Sequence, residues 1–267
     1  MTKNAYLIAR RALAMPVTTF ALVAVTPSGA IADEDFAKAS LKKMSDYLAS
    51  QDVISFDYDA SLEVVTKEDQ KLGLASSGTV TLDRPDKIRA TREGGFVNLE
   101  MIFDGKTLTL LGKNANLYTQ VEEPGTIDGL VDTLRDKYGR PLPAADLLMS
   151  NAYEELMSEV TDVKDLGSGV IGGVECDTFA FRTEHVDWQI WIAQGEQPYP
   201  CRYVISTKTV KSAPQYAVQV RNWQAGEAVA EDTFTFGNPT GATKIKLEEL
   251  REKVRDFPQN FTMGEAQ

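Results

Sequence analysis

The chain has 267 residues, with 28 Lys and Arg against 39 Asp and Glu, which gives a formal net charge of −11. Nucleic-acid affinity depends on basic side chains at phosphates, so this acidic composition argues against a nucleic-acid partner. Anionic lipid headgroups would also repel the protein, so adsorption to a membrane surface is disfavoured.

Residues 1–32 have the features of a signal peptide. Lys3, Arg10 and Arg11 form a positive front, an apolar run follows from Ala12 to Val25, and Ala30-Ile31-Ala32 provides small residues for cleavage. The run is shorter than the about 20 residues that span a bilayer. We therefore expect cleavage after Ala32 and a soluble periplasmic protein without a permanent membrane anchor, exported by the general secretory or the twin-arginine route.

The rest of the chain, residues 33–267, suits a single domain of mainly β type. A chain of this length buries roughly 70% of its extended surface, so it can fold without a disulfide. Asp33 to Ser50 begins with acidic residues and carries apolar side chains at helical spacing, which predicts a helix. Alternation of apolar and polar residues from Asp52 to Thr66 and from Lys71 to Leu82 predicts two strands.

Between Gly78 and Gln120, short alternating segments are separated by Arg-Pro-Asp, Glu-Gly-Gly, Asp-Gly-Lys and Asn-Ala-Asn. Each separator is a turn signal, so this region predicts four or five hairpin-linked strands in an antiparallel meander. Residues 126–151 break the β pattern and are termed the helical insert. Apolar residues from Ile127 to Leu134 predict one helix there, and a second, short helix is predicted near Pro143.

The β pattern then resumes and ends in a helix. The later elements are predicted as strands at Val174–Thr183, Asp187–Ala193, Arg202–Thr209, Tyr216–Trp223 and Phe234–Phe236, and as a terminal helix at Ile245–Phe257.

Motifs that would indicate an enzyme do not fit their surroundings. Gly167 to Gly172 matches the dinucleotide fingerprint in letters but leads into a strand, whereas the fingerprint requires a helix. Carboxylates from Asp57 to Glu68 have the offsets of a calcium loop, but Leu62 stands where that loop needs Gly. His185 is the only histidine, so a triad or a multi-histidine zinc site has at most one candidate. We expect no catalytic residues, no metal and no cofactor.

The Gly78 to Gln120 region, where a strand ends in Arg84-Pro85 and an Asp-Gly-Lys hairpin follows, resembles the start of the LolA/LolB-like fold of periplasmic lipoprotein carriers. Segments near Cys176, Trp188, Cys201 and Phe234 look like a family of predicted periplasmic proteins of unknown function that is thought to share this fold. The resemblance implies a mainly β (α+β) architecture, an incomplete antiparallel β-barrel, or half-barrel, with helices covering its apolar concave face.

That fold implies a pocket for a hydrophobic ligand. Strand alternation places several apolar side chains of three consecutive strands on shared faces. The candidate ligand-binding residues are Phe179, Phe181, Trp188, Ile190, Ile192, Tyr203 and Ile205. We expect them to line the pocket together with the helical insert. The alternative is that these side chains fill a solid core between the sheet and the helices.

Arg84 matches the arginine that hydrogen-bonds the helical lid in the lipoprotein carriers. The resemblance therefore implies that Arg84 clasps a lid here. The alternative is a solvated arginine at the end of a strand.

Cys176 and Cys201 are the only cysteines. An even count and an oxidising compartment favour a disulfide, which would contribute about 3.5 kcal/mol by closing a loop of about 25 residues. The two cysteines lie on strands that flank a third, about 10 Å apart along the ladder. A bridge tolerates about 7 Å between Cα atoms, so the flanking strands must approach each other beyond the end of the middle strand. The alternative is a pair of buried thiols.

The favoured function is that of a non-catalytic periplasmic binding protein for a lipid or an acylated ligand. The alternative is an envelope sensor or interaction protein of the RseB type, which recognises lipidated partners. The expected partners are accordingly a lipid or acyl chain, a lipoprotein or an envelope protein. A hydrolase is the least favoured function, because no nucleophile and base occur in a suitable arrangement.

Overall fold

The computed structural model describes residues 34–139, 142, 144–226 and 231–254. The predicted signal peptide, residues 1–32, lies outside this part of the chain. The described residues form four α-helices, two short 3-10 helices and twelve strands.

The helices are α1 Glu34–Ala49, α2 Ile127–Asp136, α3 Ala152–Met157 and α4 Leu247–Lys253, with 3-10 helices at Ala145–Leu148 and Glu231–Phe234. The strands are β1 Val53–Val65, β2 Lys71–Asp83, β3 Lys87–Gly94, β4 Asn98–Asp104, β5 Thr107–Gly112, β6 Leu117–Glu122, β7 Asp162–Ile171, β8 Val174–Arg182, β9 Val186–Ala193, β10 Pro200–Thr207, β11 Gln215–Ala225 and β12 Thr243–Lys244.

All described strands belong to one sheet, in the order β12-β6-β5-β4-β3-β2-β1-β11-β10-β9-β8-β7. Two meanders, β1 to β6 and β7 to β11, are joined by antiparallel pairing of β1 with β11. β12 adds to β6 in parallel. Because β12 and β7 are the two ends of this order, the sheet does not close into a barrel. The predicted fold class, a mainly β protein with an incomplete antiparallel barrel, is confirmed.

The helices cover one face of the sheet, which is termed the covered face, and the opposite face is termed the outer face. α1 turns a fully buried stripe of Ala37, Leu41, Met44 and Leu48 toward the sheet. Their spacing of three or four residues places them on one side of a helix. α1 contacts β7 and β9, so it covers the half of the sheet that follows the helical insert in sequence.

The segment after β11 lies on the outer face. The Arg89 guanidinium of β3 donates to the carbonyl oxygen of Thr233 at 2.8 Å. The predicted strand at Phe234–Phe236 is wrong, because residues 231–234 form a 3-10 helix. The segment crosses over β3 and β4, which are paired on both sides, and therefore meets no unpaired strand edge with which it could form a ladder.

Most other predicted elements are confirmed with small shifts of their ends. The helix predicted at Asp33–Ser50 is α1, and the strand predicted at Arg202–Thr209 is β10, Pro200–Thr207. The Gly78 to Gln120 region contains the end of β2, all of β3 to β5 and most of β6. Of the predicted terminal helix, the described part forms α4.

Cys176 and Cys201 lie close together, as the predicted disulfide requires. Cys176 pairs with Ala193, the last residue of β9, and the register of β9 and β10 shifts between Pro200 and Arg202. The structure nevertheless holds two free thiols, with the sulfur atoms 2.8 Å apart. This distance exceeds the about 2.05 Å of a disulfide bond. The predicted disulfide is therefore not formed in this structure. Burial raises the pKa of both thiols.

Candidate functional site

A cavity of about 540 Å³ lies between the covered face and the helical insert. Its floor is formed by β1 to β5 and β11, and its roof includes α2 and the 3-10 helix Ala145–Leu148. Residues of α4 line the cavity as well. The chain therefore passes from the outer face, along β12 at the edge of the sheet, to the cavity.

The floor is apolar because strand side chains alternate between the two faces and the covered-face positions carry hydrophobic residues. The apolar floor residues include Phe56, Val80, Ile88, Ala90, Met101, Leu108, Leu110, Val218, Val220 and Trp223. Trp223 stacks on Phe56 at 5.6 Å and on Tyr199 at 4.9 Å between ring centroids, which fixes the aromatic end of this floor.

The roof is an amphipathic element that begins at a capped helix. Thr126 is the N-cap of α2, and its hydroxyl accepts from the Gly129 N–H at 3.2 Å. Ile127, Leu130 and Leu134 recur at helical spacing, are buried and line the cavity. The apolar stripe of α2 is therefore the surface that faces the strands across the cavity.

Among the polar contacts that hold this roof, one lies within the helical insert, one joins α3 to α1 and one joins the insert to the end of β2. Asp128 of α2 accepts from both the backbone N–H of Ser150, at 3.1 Å, and its hydroxyl. The Tyr153 N–H at the start of α3 donates to Ser45 of α1 at 3.0 Å. The third contact comes from Arg84, whose guanidinium donates to the Leu148 carbonyl oxygen at 2.8 Å.

Arg84 joins the end of β2 to the helical insert. Its Nε atom is buried without a hydrogen-bond partner among the described residues. Burial lowers the pKa of Arg84, and the charge of Asp128 partly opposes this shift. Among the described residues of the insert, the guanidinium bonds one, Leu148, which is the contact that a clasp would need. Its role in ligand release remains a prediction.

Two charged residues, Arg92 and Glu100, occur among the described residues that line the cavity. Glu100 shares its side of β4 with Ile102, on the outer face, and it is bound by Arg89 at 2.7 Å and Lys113 at 3.0 Å. Burial acts to raise the pKa of Glu100, but these hydrogen bonds outweigh it and lower the pKa. Glu100 is thus an ionised carboxylate whose negative charge is balanced by Arg89 and Lys113.

Tyr58 of β1 lies across Gly78 of β2 and donates to the Thr91 carbonyl oxygen of β3 at 2.8 Å. A Cβ atom at position 78 would lie 1.9 Å from that oxygen and 2.7 Å from the Tyr58 ring. Only glycine leaves room for this crossing. Burial raises the pKa of Tyr58, and it raises that of Tyr216, on the neighbouring β11, to about 12.

The structure places the predicted ligand-binding residues outside the cavity lining. Those residues are Phe179, Phe181, Trp188, Ile190, Ile192, Tyr203 and Ile205, and none of them lines the cavity. The first six are buried, and Ile205 is partly buried against the same core. Phe179 meets Phe36 of α1 edge-on at 5.8 Å, and Phe181 stacks on Trp188 at 3.9 Å between ring centroids.

The cavity therefore lies on β1–β5 and β11, whereas the candidate ligand-binding residues lie on β8–β10, and ligand binding by them stays a prediction. The physical reason is that α1 lies directly on the β8–β9 aromatics, whereas the helical insert spans the other meander. The residues that do line the cavity were identifiable only as apolar positions of strands. Their alternation carried no signal that distinguished a cavity wall from a core.

Two further observations bear on function. Within the described ranges, no group of three or more His, Cys, Asp or Glu side chains could hold a metal ion. No helix in the part of the chain that the structure describes is long and apolar enough to cross a bilayer.

The fold and cavity define an open antiparallel β-sheet protein whose one face is covered by helices. The chain belongs to the family described as "Predicted periplasmic protein (DUF2092)", which matches residues 37–248. This confirms the predicted family of periplasmic proteins of unknown function. No curated protein sequence matches the chain.

Solved structures with weak similarity include three that span most of the chain. The lipoprotein LppX from Mycobacterium tuberculosis is 14% identical, with 74% of this chain and 98% of that chain covered and a TM-score of 0.43. MucB in the Pseudomonas aeruginosa MucA/MucB complex is 14% identical. The match covers 76% of this chain and 61% of that chain, with a TM-score of 0.44. A LolA superfamily protein from Nitrosomonas europaea is 11% identical. The match covers 75% of this chain and 97% of that chain, with a TM-score of 0.34.

Proposed function

We propose that this protein is a non-catalytic periplasmic binding protein that holds a lipid or another acylated ligand between the sheet and the helical insert. The supporting observation is the cavity of about 540 Å³ with its largely apolar lining. Ligand pockets in proteins usually have volumes of roughly 300–1,000 Å³ and are mostly apolar with a few placed polar groups.

Acyl chains fit the chemistry of this lining. Each methylene moved from water into apolar surroundings contributes about 0.8 kcal/mol, so a long chain gains affinity without any specific polar contact. The floor is a paired sheet, which keeps its shape. The roof is attached by few polar bonds, among them the Arg84 contact to Leu148. Entry and release of a chain would therefore proceed by movement of the helical insert away from the strands.

The direct test is native mass spectrometry of gently purified protein, followed by displacement of a fluorescent fatty acid from delipidated protein. Ala90→Phe places a ring on the cavity floor and should reduce uptake of the probe while leaving urea unfolding unchanged. Lys106→Phe, on the exposed β4–β5 turn, adds the same ring away from the cavity and is the matched control. Absence of both bound lipid and probe uptake in the parent protein would refute the proposal.

The second candidate, an envelope interaction protein, is favoured by the edge strand β7. Leu166 and Val170 of this strand are 53% and 64% exposed. The pairing of β7 with β8 is interrupted between Asp165 and Ser168, and the other side of β7 has no strand partner among the described residues. An extended segment of an envelope protein could add to such an edge. Cross-linking in cells should capture a protein with the parent chain and lose it with Leu166→Lys, if this candidate is correct.

A further inference from the structure

We propose that the ligand of the cavity is an acyl ester, whose carbonyl oxygen accepts hydrogen bonds from the hydroxyl groups of Tyr216 and Ser76 while its acyl chain lies beneath the helical insert. This inference rests on the proposed binding function and names the polar group that the same site recognises.

Two hydroxyl groups of the cavity lining have unused hydrogen-bonding capacity. Tyr216 of β11 and Ser76 of β2 line the cavity, and Ser76 is only 8% exposed. Neither side chain hydrogen-bonds another described residue, whereas the hydroxyl of the nearby Tyr58 donates to the Thr91 carbonyl oxygen. An acyl chain that fills the cavity excludes water from it, and a hydroxyl group left there without a partner costs free energy. The ligand is therefore expected to supply the missing acceptor.

The two hydroxyl groups belong to the same part of the cavity floor. Ser76 pairs with Ala60 of β1, and Ala60 pairs with Val218 of β11, the next covered-face position after Tyr216. The backbones of β11 and β3 are about 14 Å apart, because β1 and β2 lie between them. The charge of Arg92 on β3 nevertheless influences the pKa of Tyr216, so these two side chains extend toward each other over β1 and β2. The Tyr216 phenol group therefore lies on the Ser76 side of β11.

The helical insert is fixed at the other end of the sheet. At the start of α2, the Ile127 N–H donates to the carbonyl oxygen of Pro85, just before β3 begins, at 2.9 Å. Beyond the last turn of α2, the Tyr138 hydroxyl donates to Glu123, directly after β6, at 3.2 Å. The end of β6 and the start of β3 lie at the same end of the sheet, whereas Ser76 pairs with the last residue of β3. An acyl chain beneath α2 would thus direct its polar group toward Ser76.

The chemistry of the two hydroxyl groups fits an ester carbonyl. Burial raises the pKa of Tyr216 to about 12, so the phenol group keeps its proton at neutral pH and can donate it in a hydrogen bond. The Ser76 hydroxyl is likewise an uncharged donor. A carbonyl oxygen has two lone pairs and can accept from both groups, so no charge has to be buried with the ligand. The ester joins an acyl chain directly to such an oxygen.

The test compares three ligands whose chains have the same length. Monolauroylglycerol is the ester of a free lipid, and dodecylglycerol ether lacks the carbonyl oxygen. N-acetyl-O-lauroyl-serine amide carries the same ester on an amino acid, as an acylated protein would. Calorimetry on delipidated protein measures the affinity of each ligand for the parent protein and for the variants.

The parent protein should bind the two esters roughly three- to tenfold more tightly than the ether, because only the esters satisfy the hydroxyl groups. Tyr216→Phe keeps the ring and removes the hydroxyl, so it should weaken the esters alone and abolish this preference. Ser76→Ala should reduce the preference in the same way. Tyr118→Phe is the matched control, because Tyr118 contacts Phe236 and does not line the cavity, and it should retain the preference.

The outcomes separate the two levels of the proposal. If the ether binds the parent protein as tightly as the esters, the ester inference is overturned while the binding function stands. The same holds if Tyr216→Phe weakens all three ligands equally, or if the preference survives both Tyr216→Phe and Ser76→Ala. If none of the three ligands binds the parent protein, the binding function itself fails.

A preference for either ester over the ether supports the inference, and the tighter of the two esters identifies the source as a free lipid or an acylated protein. The parent-protein comparison remains decisive even if a variant does not fold.

Discussion

The two halves of the covered face are both built from strands with alternating side chains, but one half is a packed core and the other borders a cavity. On β7–β10, the packed half, aromatic rings such as Phe181 and Trp188 fill the space beneath α1. On β1–β5 and β11, the cavity half, smaller side chains such as Val80 and Ala90 leave about 540 Å³ beneath the helical insert. The comparison teaches that side-chain size and the helix above a strand, rather than alternation, decide whether a sheet face becomes a core or a container.

The largest expected effect comes from matched truncations in the two halves. Leu41 of α1 is fully buried on the packed half, so Leu41→Ala should lower the free energy of unfolding by about 2–5 kcal/mol. Leu110 borders the cavity and lacks contacts on that side, so Leu110→Ala should lower it by only about 1 kcal/mol. Urea unfolding of delipidated protein measures both values. Equal losses would show that the halves do not differ in packing.

A second prediction concerns the floor of the cavity half. Gly78→Ala forces a methyl group against the Thr91 carbonyl oxygen and the Tyr58 ring, which should lower the free energy of unfolding by about 1–3 kcal/mol. Gly73→Ala, on the same strand, places its methyl group 3.7 Å from the nearest atom, the Ser61 hydroxyl oxygen, and should be nearly neutral. Thermal unfolding of both variants decides the point. A neutral Gly78→Ala would mean that Tyr58 does not cross the strand at this position.

A third, smaller effect is expected where the cavity half meets its roof. Arg84→Leu removes the hydrogen bond to Leu148 and should accelerate ligand dissociation by about tenfold, which corresponds to 1.4 kcal/mol. Circular dichroism should show an intact fold. Lys87→Leu removes a cation from a nearby surface ion pair with Asp83 and should leave the dissociation rate unchanged. Stopped-flow release of a fluorescent fatty acid provides the rate, and an unchanged rate in Arg84→Leu would exclude the clasp.

The least effect on stability is expected from the two thiols, Cys176 and Cys201, which lie in a buried cluster separate from the packed half. Because burial raises the pKa of Cys176 and Cys201, the native protein should react with iodoacetamide more slowly than the unfolded protein, and both thiols should react after denaturation without reductant. For a thiol whose pKa is raised in the folded protein, the contribution to stability is fully present below the unfolded-state pKa of about 8.5. It declines as the pH rises above that value, because the thiol then loses its proton more readily in the unfolded chain. Alkylation followed by mass spectrometry counts the thiols. Rapid native alkylation would indicate that the cysteine cluster is open to solvent.

The fold was largely predictable because its signals are local. Turn signals and alternation within residues 78–120 correctly predicted β3 to β6, and the acidic start and apolar stripe of α1 predicted that helix. The failure at Phe234–Phe236 had a local cause as well. Two phenylalanines in three residues fit a strand, but Phe234 instead ends a 3-10 helix that crosses the outer face.

The cavity was not predictable for a non-local reason. Its position depends on which meander α1 covers, and α1 precedes β1 in sequence yet packs on β7 and β9. Nothing in the alternation of β8 and β9 reveals that a helix more than 100 positions earlier fills the space above Phe179 and Trp188. Arg84 could be identified because a strand-end Arg-Pro pair is a local pattern.

The pairing of β1 with β11 has a consequence for the order in which the chain folds. Asp59 and Arg221, which bond across this pair, are 162 positions apart. The hairpins of the first meander need only their neighbours and can form as the chain emerges, since contacts between nearby residues close quickly. α1 and the second side of β1 gain their packing and pairing partners only when the second meander has formed. The folding chain therefore passes through an interval with an uncovered apolar helix and an unpaired strand, in which a chaperone would have its main opportunity to act.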